Sequence, residues 1–237
     1  MSKGYNSIQG VLFVNSLDLT DKLKIAQALS GLQNLTLDDN PAILPIPADA
    51  PMELPRIILR SNDGLFSLSI SPMRIDLTYA SKTNEDGFPI EDSTIEGKFS
   101  IILGEIAEVL INKLSASIPR IALVVNVVVS LTESSKDFLF KKFIKDDVLE
   151  SPYEMQLNFL MKKEIDKYKV NQWLRINTLR NQKNLDDDSA LLFILDTNSV
   201  QEVNYNYDKT LVKNFVKQLF ALSEKEINRY VKDGSKK

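Results

Sequence analysis

Apolar residues along this chain recur with two periods, and the changes of period mark its elements. Residues 7–17 read as a strand. Asp18, Leu19, Thr20 and Asp21 then supply a helix-start signal, and Leu23, Ala26 and Leu29 follow at helical spacing until Gly31 stops them. Pro41, Pro45, Pro47, Pro51 and Pro55 exclude a regular helix from the next stretch, because each fixes φ and removes a backbone donor. That stretch reads as an extended strap wrapping the domain surface, or as a docking strap for a partner with Pro45, Pro47 and Pro51 as contact residues.

Residues 56–61 and 65–70 are two strands joined by Asn62, Asp63 and Gly64, which supply the positive φ of a tight hairpin. Phe66, Leu68 and Ile70 share one face, but beyond Ser71 and Pro72 the apolar phase shifts by one residue to Met73, Ile75, Leu77 and Tyr79. Such a slip requires a bulge or a tight turn there. From 93 to 114, Phe99, Ile102, Leu103, Ile106, Leu110 and Leu114 keep helical spacing. After Pro119 the valine-rich run 121–131 reads as a strand covered on both faces, either central with a layer on each side or half hidden in an oligomer interface. Asn126 in its middle needs hydrogen-bond partners.

Residues 134–145 form a short amphipathic helix. Then Tyr153, Met155, Leu157, Phe159 and Met161 alternate with mostly polar residues, the mark of a strand with one wet face. Further strands run through 173–179 and 190–195, and Val212, Phe215, Val216, Leu219, Leu222 and Ile227 define a closing helix over about 208–230. The order β-α-β-β-β-α-β-α-β-β-β-α, dominated by hairpins, predicts a single α+β domain with a largely antiparallel sheet and three to four helices packed on it. Three strands near a long helix in each part hint at two similar halves, about 1–131 and 132–237.

Composition narrows the chemistry. The 237 residues include no histidine and no cysteine. This argues against thiol proteases, Ser-His-Asp hydrolases, zinc enzymes, iron–sulfur proteins and histidine-ligated haem, and it leaves packing and hydrogen bonds to hold the fold without disulfides. No membrane-length apolar run occurs, and the first residues lack the apolar stretch of a secretory signal, so a cytoplasmic protein is expected. The net charge is -3, yet residues 136–183 carry eleven Lys or Arg against seven acids. That local excess could favour a polyanion, although the interleaved acids also fit solvated helix and strand faces.

Candidate chemistry is sparse. Asp186, Asp187 and Asp188, with Asp196 at a strand end, could offer oxygen ligands to a hard cation such as Mg²⁺. Consecutive aspartates in an extended loop diverge, however, and no calcium-loop spacing is present, so a solvated loop fits them better. Eight glycines, none closely spaced, leave no phosphate-binding or dinucleotide motif, and no cofactor is expected. A serine–lysine dyad is marked by nothing in the sequence. Trp173, Arg175 and Asn177 alternate on one strand and thus share a face, either a stacking surface for a base or the amphipathic cap of a sheet.

The run Arg56, Ile57, Ile58, Leu59, Arg60, Ser61, Asn62, Asp63, Gly64 after Pro55, leading into 66–70 and then Arg74, Ile75, Asp76 and Leu77, resembles a sporadically distributed, uncharacterised family of prokaryotic proteins. Residues 120–123 and 191–196 share in the resemblance. It carries no catalytic residues, and its scattered occurrence would suit an accessory protein of a mobile element or an antiviral defence system.

Three functions are therefore expected in order. The first is a non-enzymatic intracellular interaction module, adaptor, antitoxin-like or chaperone-like, whose partner is another protein or itself. The second is a nucleic-acid-associated component using 136–183, and the third a Mg²⁺-dependent enzyme using residues 186–188.

Overall fold

The computed structural model describes residues 2–38, 40–47, 49–144, 152–180, 188–203 and 205–231. Its nine strands form one antiparallel sheet in the order β2-β3-β4-β5-β1-β6-β9-β8-β7. Among the described residues there are four helices, so the chain is of the α+β class. None of these helices is long and apolar enough to cross a membrane.

The first half of the sheet comprises β1 (Lys3–Phe13), β2 (Ala42–Ile43), β3 (Ile57–Arg60), β4 (Phe66–Ile70) and β5 (Arg74–Ala80), with α1 (Lys22–Ser30) and α2 (Ile95–Asn112). The second half comprises β6 (Arg120–Ser130), β7 (Gln156–Ile165), β8 (Tyr168–Leu179) and β9 (Ala190–Ser199), with α3 (Ser135–Phe143) and α4 (Lys209–Val231). Both halves run strand, helix, strands, helix, and the second begins at β6. The division expected near 131 would leave β6 in the first half.

Laying Lys3–Phe13 on Arg120–Ser130 residue for residue carries the pair Gln9 and Val124 onto Asn126 and Ser7, which is also an observed pair. The strand order reads outward from β1 and β6 as β5-β4-β3 on one side and β9-β8-β7 on the other, an approximate two-fold of topology that, with these strands so laid, passes beside Ile8 and Val125, which face each other across β1 and β6.

Local chemistry accounts for most element ends. Asp21 caps α1 by accepting from the Lys24 N–H at 3.0 Å. The β3–β4 hairpin turns on Gly64, whose φ of 71° only glycine adopts without strain. In that turn Asp63 accepts from the Ser61 hydroxyl and the Leu65 N–H, which hold its carboxyl below the usual carboxylate range. The phase shift at Ser71 and Pro72 is a tight turn, closed by Ser71 N–H on the Arg74 carbonyl at 2.9 Å.

Several boundaries differ from expectation. The first strand starts at Lys3 and ends at Phe13, because ladder pairing with β6 recruits the polar residues Lys3 to Asn6 around a bulge between Tyr5 and Ser7. Residues 42 and 43 of the proline stretch form β2, a short strand on the edge of β3. β9 continues past Leu195 to Ser199, since Thr197 and Ser199 are buried and bonded: Gln172 donates to the Thr197 hydroxyl at 3.0 Å, and the Ser199 hydroxyl accepts from Ile121 N–H at 3.1 Å.

The helices share one face of the sheet. A row across it runs Leu59, Leu68, Leu77, Gly10, Leu123, Thr197, Gln172 and Met161. α2 lies directly over this row, with the Phe99 and Leu103 side chains where a Gly10 Cβ would be. α4 packs on α2 through Phe220 against Phe99, their ring centroids 6.1 Å apart. α3 joins the layer through Phe143, which meets Phe159 and Tyr230. None of the helices lies on the other face, so the expectation of a layer on each side of β6 is overturned. Ile121, Leu123, Val125, Val127 and Val129 bury against helices, while Ala122, Val124 and Val128 face away from them.

Candidate interaction surface

The helix-free face is built by the residues that alternate with that core. One row across it runs Arg60, Ser67, Thr78, Gln9, Val124, Asp196, Trp173 and Leu160. A parallel row runs Ser7, Asn126, Ile194, Arg175 and Asn158, and the next Val128, Leu192, Asn177 and Gln156. The first half presents mostly hydroxyls, amides and the Arg74–Asp76 ion pair, with Ile58 among them. In the second half Val124, Leu192, Ile194, Trp173 and Leu160 dominate.

At two equivalent positions the halves differ directly. Asp76 pairs with Val11, whose two-fold mate Val128 pairs with Leu192; Thr78 pairs with Gln9, whose mate Asn126 pairs with Ile194. These two lattice points are polar in the first half and apolar in the second. Trp173 is 41 % exposed and Leu160 52 % exposed, and they face each other across β7 and β8. At the sheet centre Val11 and Ala122 are only 3 % and 6 % exposed, though none of the four described helices lies over them.

Asn126, half-buried in an apolar strand, donates to the Ser7 hydroxyl at 2.7 Å, and its own Oδ1 has no partner among the described residues. At one end of the face a pocket of about 450 Å³ is lined by Phe13, Asn15, Glu53, Arg74, Arg120 and Gln201, among others. The Arg120 guanidinium lies over the Phe13 ring at 4.4 Å and that of Arg74 at 5.7 Å.

Arg175 and Trp173 point outward on this face, as their alternation implied, and the structure adds Leu160 and Ile194 beside them. Leu160 carried a readable signal, as the apolar residue among Gln156, Asn158 and Lys162 on the wet side of its strand. Pro45, Pro47 and Pro51 are exposed on the strap, whose carbonyls serve a structural end. The buried Arg56 guanidinium donates to the carbonyls of Pro47, Ala50 and Pro51 at 3.3–3.5 Å.

The aspartates do not converge. Asp186 and Asp187 lie outside the described residues. Asp188 accepts from the Ser134 hydroxyl at 2.7 Å and its carbonyl accepts from Ser135 N–H, tying β9 to the start of α3. Asp196 sits in mid-sheet between Val124 and Trp173, at about 3.3 Å of rise per residue roughly 20 Å or more along the strand from Asp188. Among the described residues no three acidic side chains gather as a metal site would need.

No protein-family model matches the chain, and no curated protein matches it.

Proposed function

We propose that the chain is a non-catalytic protein-interaction module, adaptor, antitoxin-like or chaperone-like, that works through the helix-free face of its sheet. Its place would be as an accessory of a mobile element or antiviral defence system. The observation that carries this reading is an apolar patch in one half of the sheet, the exposed Trp173 and Leu160 flanked by the half-buried Ile194 and Leu192. Exposed apolar surface rimmed by polar residues is the usual character of a protein contact. Arg175, Asn158 and Asn126 supply that rim.

The test is partner capture with a face-specific control. The chain is purified at native level, crosslinked and mapped, alongside Ile194→Lys with Trp173→Glu on the open face and Lys217→Glu on exposed α4. A partner crosslinked to β8 and β9, lost only from the open-face variant, is expected. The same set of proteins on all three chains would refute the reading.

The charge distribution favours a second reading. The strands put Arg60, Arg74, Arg120, Lys162, Lys169 and Arg175 on the open face against Asp76, Glu164 and Asp196, a positive face on a chain of net charge -3. A polyanion such as a nucleic acid would then be held with steep salt dependence, and absence of retention at low salt removes that alternative.

A further inference from the structure

The interaction reading leaves the partner open, and the free edge of the sheet names one. The sheet ends differently on its two sides. On the first half the four-residue strand β3 is covered by β2, a strand from the chain's own strap. Its counterpart in the second half is β7, a ten-residue strand paired only with β8, and among the described residues no strand lies beyond it.

The direction of its backbone groups follows from one hydrogen bond. Thr178 N–H donates to the Met155 carbonyl at 3.0 Å, so the odd-numbered residues of this strand bond to β8. Alternation then turns the N–H and C=O of Gln156, Asn158, Leu160, Lys162 and Glu164 outward. Unpaired strand edges of this kind template a further strand.

We infer that β7 pairs antiparallel with β7 of a second copy about a two-fold axis through Leu160, joining two sheets into one of eighteen strands. A two-fold axis at this edge can lie at an even position, where the central pair is hydrogen-bonded, or at an odd one, where it is not, but every odd axis leaves at least one of the five outward residues without a partner inside the strand. An axis at Lys162 sets two lysines face to face, and one at Asn158 leaves Glu164 beyond the overlap. The axis at Leu160 uses all five outward residues. It sets Leu160 against the partner's Leu160, Lys162 against the partner's Asn158 and Glu164 against the partner's Gln156, with no like charges opposed.

On the helix side the same register sets Met161 against the partner's Phe159 and Lys163 against the partner's Leu157. Lys163, an inward charge that would otherwise discourage pairing, is already neutralised by Glu226. The arrangement forms about ten backbone hydrogen bonds, two per narrow pair. On the open face it builds a continuous apolar row from Trp173 and Leu160 to the same two residues of the partner, which gives both exposed side chains cover.

This inference rests on the reading of the chain as an interaction module and identifies one partner, a second copy. The absence of cysteine makes the test clean. Across the proposed axis the Cα atoms of the two Leu160 residues would stand about 5.5 Å apart, within disulfide range. Under mild oxidation Leu160→Cys should crosslink to a covalent dimer and Arg175→Cys, one strand inward, should not. Light scattering should give twice 26.8 kDa for the unaltered chain.

Leu160→Lys should weaken association by on the order of a hundredfold or more, through like charge and lost apolar contact. Mixing it with Leu160→Glu should restore a dimer. A one-chain mass for the folded, unaltered protein overturns the inference, as does a dimer that Leu160→Lys leaves intact or that crosslinks at Arg175→Cys alone. Either result leaves the open-face reading to its own partner test. Should Leu160→Lys fail to fold, the unaltered mass and the cysteine pair decide.

Discussion

Gly10 is the point at which the helix layer touches the sheet most closely, and Gly10→Ala measures that contact. A Cβ at this position would lie 2.8 Å from Phe99 Cε1 and 2.9 Å from Leu103 Cδ2, closer than carbon atoms tolerate. Neither neighbour has room to retreat, since both are fully buried and the Phe99 ring is wedged edge-on against Phe220. Forcing one methyl into a packed core costs about 1–3 kcal/mol. The smaller entropy of the unfolded alanine chain offsets about 0.4–1 kcal/mol of this, so a net loss of about 1–2 kcal/mol is expected. For a chain of this size that lowers the melting temperature by roughly 2–8 °C, and the urea midpoint falls with an unchanged slope. Gly31→Ala is the internal control. Gly31 follows α1 at φ −85°, a Cβ there meets nothing within 4 Å, and the substitution should be neutral or slightly stabilising. If Gly10→Ala proves as stable as Gly31→Ala, α2 does not seat on β1 as described.

Three further substitutions probe other parts of the fold. Arg56→Met removes the guanidinium that gathers the strap, but Pro47 and Pro51 keep turn bonds from Ala50 and Leu54. Cleavage at Glu53 by a glutamate-specific protease should therefore accelerate severalfold while global melting moves little, and unchanged cleavage would show that Arg56 is not the anchor. Lys163→Met strands the buried Glu226 carboxylate and should cost about 3–5 kcal/mol, most of it recovered when Glu226→Leu is added; a denaturant double-mutant cycle without that recovery refutes the account. Burial and donation to the Glu96 carboxylate hold the Tyr5 phenol well above its ordinary value, and burial does the same for Tyr207. Because these folded-state values are raised, their stabilisation is complete below about pH 10 and declines above it, by about 1.4 kcal/mol per pH unit for each group. Tyr5→Phe should flatten the alkaline limb of a stability–pH curve, and an unchanged slope would contradict that environment.

Elements whose signals are local were readable from the sequence, and those that depend on distant neighbours were not. Asn62, Asp63 and Gly64 specify their hairpin within a few residues, and the apolar phase slip at Ser71 marks its turn because a strand has period two. β2 is invisible because two residues between prolines carry no period. The last residues of β9 looked like a loop because Thr197 and Ser199 are polar, yet they point into the core, where Gln172 and the backbone of Ile121 satisfy them. The run 121–131 showed two apolar faces correctly, but no pattern within it says that only one meets helices. Arg175 and Trp173 could be placed on a shared face by alternation alone. That Ile194 and Leu160 flank them depends on strand order and register, which long-range pairing sets.

The likeness of strand order on the two sides of the sheet gives a comparison for what the open face needs for folding. Ser67, Ser69, Asp76 and Thr78 occupy the positions that Arg175, Asn177, Leu192 and Ile194 occupy in the other half, and β4 and β5 pair as regularly as β8 and β9. The backbone lattice therefore forms without apolar side chains at these four positions. An exposed Trp173 or Leu160 gains little of the roughly 25 cal/mol per Å² that burial provides until something removes it from water. Their apolar surface adds little to the isolated chain and becomes stabilising only on contact. The open edge lies in the same half: β3 is capped by the chain's own strap, while β7 ends the sheet next to the apolar patch. Self-pairing at Leu160 would draw on both features at once, since the bonds that close the edge also bring the two Leu160 and two Trp173 side chains into one covered row.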